Sequence, residues 1–118
     1  MKKLVKSVGF ALQGFVCVLK SERNMKIHSI AAVLTIILGL YLRLEIIEWA
    51  VILLCISSVF AAEILNTVIE KYLDTYHPEF NQVVGRLKDM SAAAVLVFSM
   101  GSALIGCLIF YEKIIELL

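Results

Sequence analysis

Residues 61–74, AAEILNTVIEKYLD, carry the first chemical signal in this chain. They close an uncharged run from Trp49 to Ala62, and within them Glu63, Asn66, Glu70 and Asp74 recur at steps of three and four. On a helix those steps fall on one face. The stripe so formed climbs about 16 Å, at 1.5 Å per residue, from an apolar interior to a polar surface. An ionisable side chain inside such a span is costly and ordinarily faces protein or water. At the polar end, the same level is expected to hold Glu22 and Arg23, Arg86, and the pair Lys88-Asp89. Carboxylates are hard ligands, and Mg²⁺ takes one or two of them together with phosphate oxygens. A lysine meets phosphate as a point charge. Glu63 lies deeper, where a base would meet a lipid head group. The set points to phosphoryl transfer from a nucleotide to a lipid alcohol.

Competing readings exist for each group. Glu63 as a neutral, hydrogen-bonded tie between helices is one; Glu70 and Asp74 as solvated charges at a helix end is another. No P-loop supports nucleotide binding: Gly9 and Gly14 have the GxxxxG spacing, but Phe15-Val16 follows where Lys and Ser/Thr are required. There is no GxGxxG and no His/Cys cluster with metal-ligand spacing. His28 and His77 read as isolated polar residues. Cys17, Cys55 and Cys107 are an odd set in apolar surroundings, without CxxC spacing, and read as small apolar residues rather than a disulfide framework.

The elements that must hold the stripe follow from composition. A chain of 118 residues that is 61% hydrophobic, with a mean hydropathy of +0.93, cannot hide its apolar surface inside itself. Lipid is the expected solvent, in one all-α integral membrane domain. Residues 1–23 place Lys6, Gln13 and Lys20 on one helical face and Leu4, Val8, Leu12, Phe15 and Leu19 on the other. That pattern suits an amphipathic helix lying in the membrane interface. Three transmembrane helices are expected at about 27–46, 47–70 and 90–111, each near the ~20 residues that cross a hydrocarbon core, with a cytoplasmic loop at 71–89. Small residues along 90–111, among them Ala92, Ser99, Gly101 and Gly106, permit close helix packing. Lys2, Lys3, Lys6, Lys20, Arg23, Lys26, Lys71, Arg86 and Lys88 gather on one side, against Arg43 and Lys113 on the other. The positive-inside rule puts the N-terminus and the 71–89 segment in the cytoplasm. The net charge of +1 offers nothing to a nucleic acid, and no such partner is expected.

AEILNTVIE at 62–70 followed by GRLKDMSAAAVL at 85–96, with SERNMKIH at 21–28, closely resembles the prokaryotic diacylglycerol kinase family. The resemblance covers nearly the whole chain, in order. It implies a small lipid kinase of the bacterial cytoplasmic membrane, unrelated to P-loop and protein kinases, with a surface helix, three spans and a homotrimeric bundle whose sites are shared between subunits. It implies ATP as phosphoryl donor and Mg²⁺ as cofactor. Carried over by residue, Glu63 is the general base. Glu22 and Glu70 hold the metal. Asn66, Glu70, Asp74, Gly85, Lys88, Asp89 and Lys3 form the nucleotide-binding set. Two branches of the family are distinguishable: one resembles the enterobacterial enzyme acting on diacylglycerol, the other the undecaprenol kinases. Glu22-Arg23-Asn24 with His28 is similar to the second, and GRLKDM to the first. Phe10, Ala11 and Asn81 replace a tyrosine, a serine and a histidine of the enterobacterial pattern. Undecaprenol is the favoured acceptor and diacylglycerol the alternative.

Two other classes fit parts of the sequence. A small proton-coupled transporter also carries an intramembrane glutamate, but has no use for a stripe that runs on to Lys88-Asp89. A non-catalytic membrane assembly protein would not need Glu63, Asn66 and Glu70 on one face.

Overall fold

The computed structural model describes residues 1–79 and 81–118. They form four helices, α1 (Lys2–Ser21), α2 (Arg23–Tyr41), α3 (Ile46–Tyr76) and α4 (Gln82–Leu117), with no strand among the described residues. All four are long and apolar enough to cross a membrane, α1 included.

Each junction has a local cause. Glu22 is extended (φ −107°, ψ 121°) and serves both as C-cap of α1, its amide bonded to the Val18 carbonyl, and as N-cap of α2. This single non-helical residue separates the two helices. At the other end of α2, Arg43 is left-handed (φ 56°). The Leu44 amide donates to the Gly39 carbonyl at 3.1 Å, and the Arg43 amide to that of Leu40 at 3.4 Å. This is a Schellman closure, and it ends α2 at Tyr41 rather than at the expected 46. Gly39 is required there for space. A Cβ on it would lie 2.8 Å from Trp49 Cη2 and 2.9 Å from Leu44 Cδ1. α3 then starts on a capping box, with Glu45 accepting from the N3 amide and Glu48 from the Glu45 amide.

The segment expected as a loop at 71–89 is largely helical. α3 runs on through Tyr76, and α4 begins at Gln82. Charge alone does not break a helix; the only proline does. His77 precedes Pro78, is biased away from α geometry, and is the C-cap of α3. Asn81 caps α4 by accepting from the Val83 amide at 2.8 Å. Residue 80 lies outside the described residues.

α3 packs most extensively along α4, then along α2, while α1 touches α2 and α3. Phe15 meets Phe60 with ring centroids 6.0 Å apart. At the end of the bundle remote from Glu70, Lys113 of α4 is buried among three carboxylates: Glu48 at 3.2 Å, Glu116 at 3.6 Å and Glu45 at 3.8 Å. The molecule measures 57 × 43 × 20 Å. A slab so thin leaves large side chains such as Leu34, Leu54, Val97 and Leu108 exposed on its faces.

Candidate functional site

The buried middle of α3 is polar. Glu63 is 1% exposed, and Asn66 and Thr67 are buried beside it. The Thr67 hydroxyl turns inward on its own helix and donates to the Glu63 carbonyl at 2.9 Å. Asn66 Nδ2 donates along the stripe to Glu70 Oε1 at 3.5 Å. Glu63 Oε2 and Asn66 Oδ1 are both buried without a hydrogen-bond partner among the described residues. Burying an ionisable oxygen without a partner costs several kcal/mol in general. Such an arrangement is expected where something else, a substrate or another chain, completes the site. The nearest basic group is His28 on α2, whose Nε2 lies 3.9 Å from Glu63 Oε2.

The polar end of the stripe gathers groups from α1, α3, α4 and the break between α1 and α2. Glu22, at the break between α1 and α2, lies 3.8 Å from Lys71 Nζ, and the same ammonium donates to Ser21 Oγ at 3.4 Å. Lys71 follows Glu70 directly, so Glu22 and Glu70 share a level. On the other flank, Lys88 of α4 donates to Asp74 of α3. The expected set is thus partly assembled within one chain: Glu63, Asn66 and Glu70 lie along one face, Glu22 beside them, and Lys88 on Asp74. Asp89 and Lys3 are exposed and form no ion pair among the described residues. Around Gly85 nothing lies within 4 Å of a built Cβ. Space for a ligand exists there, and no packing within the chain demands glycine.

Beneath the stripe, a groove of about 480 Å³ runs between α2, α3 and α4. His28, Phe60 and Ser99 line one end, and Leu38, Ile52 and Phe110 the other. Its length along the helices is roughly ten residues, or about 15 Å. Thr35 and Ser102 add hydroxyls that each donate to a backbone carbonyl, and the rest of the wall is apolar, so the groove suits a hydrocarbon chain whose polar head lies at the His28 end, toward Glu63.

Among the described residues, no three His, Cys, Asp or Glu side chains cluster as a ready-made metal site. Two carboxylates at one level remain, and that is the number Mg²⁺ uses when phosphate supplies the rest. The residues present fit such an ion.

The sequence reading missed two residues, His28 and Lys71. For His28 a signal existed. It lies six residues beyond Glu22 on α2, and Glu63 lies seven residues before Glu70 on α3. Two antiparallel helices starting from one level bring those positions to nearly one depth, about 9 and 10.5 Å below it. For Lys71 the sequence shows only a charge on the basic side of the membrane.

Comparison with known proteins follows the same lines. The family described as prokaryotic diacylglycerol kinase matches residues 9–110. The chain is 37% identical over 114 residues to the undecaprenol kinase of Bacillus subtilis, covering 97% of this chain and 93% of that one. It is 33% identical over 97 residues to a diacylglycerol kinase of Helicobacter pylori, with 81% and 75% covered. To the diacylglycerol kinase of Escherichia coli K12 it is 25% identical over 110 residues, with 93% and 90% covered.

Proposed function

Because the chain belongs to the prokaryotic diacylglycerol kinase family and is an integral membrane lipid kinase, we propose that it transfers the γ-phosphoryl group of ATP to the hydroxyl of undecaprenol. The products are undecaprenyl phosphate and ADP. One observation carries the reading: a fully buried carboxyl, Glu63, stands with an unpartnered oxygen 3.9 Å from His28, which lines one end of a largely apolar groove. That is where the hydroxyl of a long-chain alcohol would lie with its chain in the groove. The greater identity and coverage of the Bacillus relative favour undecaprenol as the acceptor.

The chemistry asked of the side chains is modest. The lipid oxygen attacks the γ-phosphorus, the bond from phosphorus to the bridging oxygen of ADP breaks, and the hydroxyl proton passes to Glu63. A positioned base contributes about 10²–10⁴-fold. The remainder is positioning and charge stabilisation. Lys88, released from Asp74, offsets the charge of the phosphates. Asn66 and Asp89 orient the nucleotide, with Lys3, Asp74 and Gly85 at the margin. Glu22 and Glu70 would hold Mg²⁺, which when bound neutralises phosphate charge in the transition state.

In this reading α1 lies in the cytoplasmic interface of the bacterial inner membrane, with its basic face outward, and α2, α3 and α4 span. The reading includes a homotrimer. The thin slab leaves apolar faces for neighbouring copies to cover, and Asp89 and Lys3, unpaired within the described residues, would act on a neighbour's nucleotide.

The test is a transfer assay in mixed micelles with labelled ATP and Mg²⁺, offering undecaprenol and diacylglycerol separately. Faster labelling of undecaprenol supports the proposal. Faster labelling of diacylglycerol, the acceptor of the branch that GRLKDM resembles, moves the role to phospholipid turnover with the same chemistry. Labelling of neither by folded protein overturns it.

A further inference from the structure

Glu63 cannot orient itself. Its helix offers its carboxyl no donor: Thr67 donates to the Glu63 backbone carbonyl, and Asn66 turns its amide nitrogen toward Glu70. Across the interface, α2 presents one side chain with a donor at that depth. His28 Nε2 stands 3.9 Å from the unpartnered Oε2, with the imidazole side chain 21% exposed and Glu63 2%. An N–H···O bond is about 2.9–3.0 Å long, so a shift of about 1 Å closes the gap. His28 also lines the head of the groove, so its ring touches both the base and the space for the substrate's first carbons.

We propose that His28 is a positioning residue for Glu63: its Nε2–H donates to Glu63 Oε2 and aims the other carboxylate oxygen at the acceptor hydroxyl. The role requires the tautomer with hydrogen on Nε2, and Nδ1 is then free to accept. It explains why a residue that could be apolar at this depth of a span is a histidine. A misplacement of about 1 Å at a reacting group can cost about 10²-fold, so a modest hydrogen bond can have a large kinetic effect. The inference rests on Glu63 being the base of the lipid kinase reaction.

The experiment is a double-mutant cycle on full-length protein in mixed micelles, with the lipid alcohol the wild type prefers. His28→Leu keeps bulk and removes the donor; His28→Gln returns an N–H donor near the Nε2 position. The expected result is a kcat roughly ten- to a hundredfold lower in His28→Leu, with the KM for ATP unchanged, and substantial recovery in His28→Gln. In a Glu63→Gln background, His28→Leu then costs nothing further, because the group it positions has gone. Full turnover in His28→Leu, failure of Gln to rescue, or an equal loss in the Glu63→Gln background overturns the role. Should His28→Leu fail to fold, ¹⁵N shifts of the His28 ring in folded wild type and Glu63→Gln decide: a change in the Nε2 signal supports the bond, and identical signals overturn it. A wild type without transfer activity would instead refute the lipid kinase reading itself, whatever His28 does.

Discussion

Lys71 Nζ lies 3.8 Å from a Glu22 carboxylate oxygen, so the break between α1 and α2 lies level with residue 71 of α3. Both groups are open to solvent, the lysine 55% exposed, and such pairs are worth about 0–1 kcal/mol. The contact therefore marks a level more than it stabilises one. It also leaves Glu22 able to exchange its lysine for a metal ion.

Glu22→Gln and Glu70→Gln should each raise the Mg²⁺ concentration for half-maximal turnover by about tenfold or more, since each removes one of the two hard ligands proposed for the ion. Lys71→Ala should leave that concentration unchanged or lower it, because it frees Glu22. A Mg²⁺ titration of turnover at saturating ATP measures all three. Unchanged Mg²⁺ dependence in both glutamine variants would remove these residues from the metal site.

Lys88→Ala should lower kcat/KM for ATP by about ten- to a hundredfold, equivalent to about 1.4–2.7 kcal/mol of lost phosphate stabilisation. Asp74→Asn should change it by no more than about twofold, because the bridge Lys88 makes with Asp74 is at the surface. Steady-state kinetics in ATP separates the two. Equal losses would mean that Lys88 acts only through its bridge.

Gly39→Ala should destabilise the protein by about 1–3 kcal/mol, since the added methyl meets the Trp49 ring and Leu44. Trp49→Phe, which removes the benzo ring that Cη2 belongs to, should recover part of the loss. Trp49 is the only tryptophan, so its emission in Gly39→Ala reports the displaced ring directly. An unshifted spectrum with unchanged melting would contradict the packing.

Lys113→Met should lower the melting temperature and leave the turnover of the folded protein unchanged. It strips the partner from Glu48, Glu45 and Glu116 at the end of the bundle away from Glu63. Thermal unfolding and the transfer assay on one preparation check both halves.

Much of the site was legible in the sequence because α3 is a continuous helix. Steps of three and four in 61–74 guarantee that Glu63, Asn66 and Glu70 share a face, whatever packs on it. Positions of helix ends were less legible. The closure at Arg43 depends on a left-handed residue that no glycine announces, and the helical turns at 71–76 and 82–89 look like loop because they are charged. Taken alone, His28 reads as an isolated polar residue; its signal lies in its spacing from Glu22. Only the pairing of α2 with α3 gives it a partner, and single positions say nothing about pairing unless a shared level is first fixed, as Glu22 and Lys71 fix it here.

The most direct test of the account compares wild type with Glu63→Gln for transfer of the γ-phosphoryl group to undecaprenol in mixed micelles. Melting is measured alongside to show that both are folded. The account predicts label in the wild-type lipid and a rate about 10²–10⁴-fold lower in the variant. A folded Glu63→Gln that keeps wild-type turnover would contradict it, because the buried carboxyl beside His28 would then have no part in the chemistry.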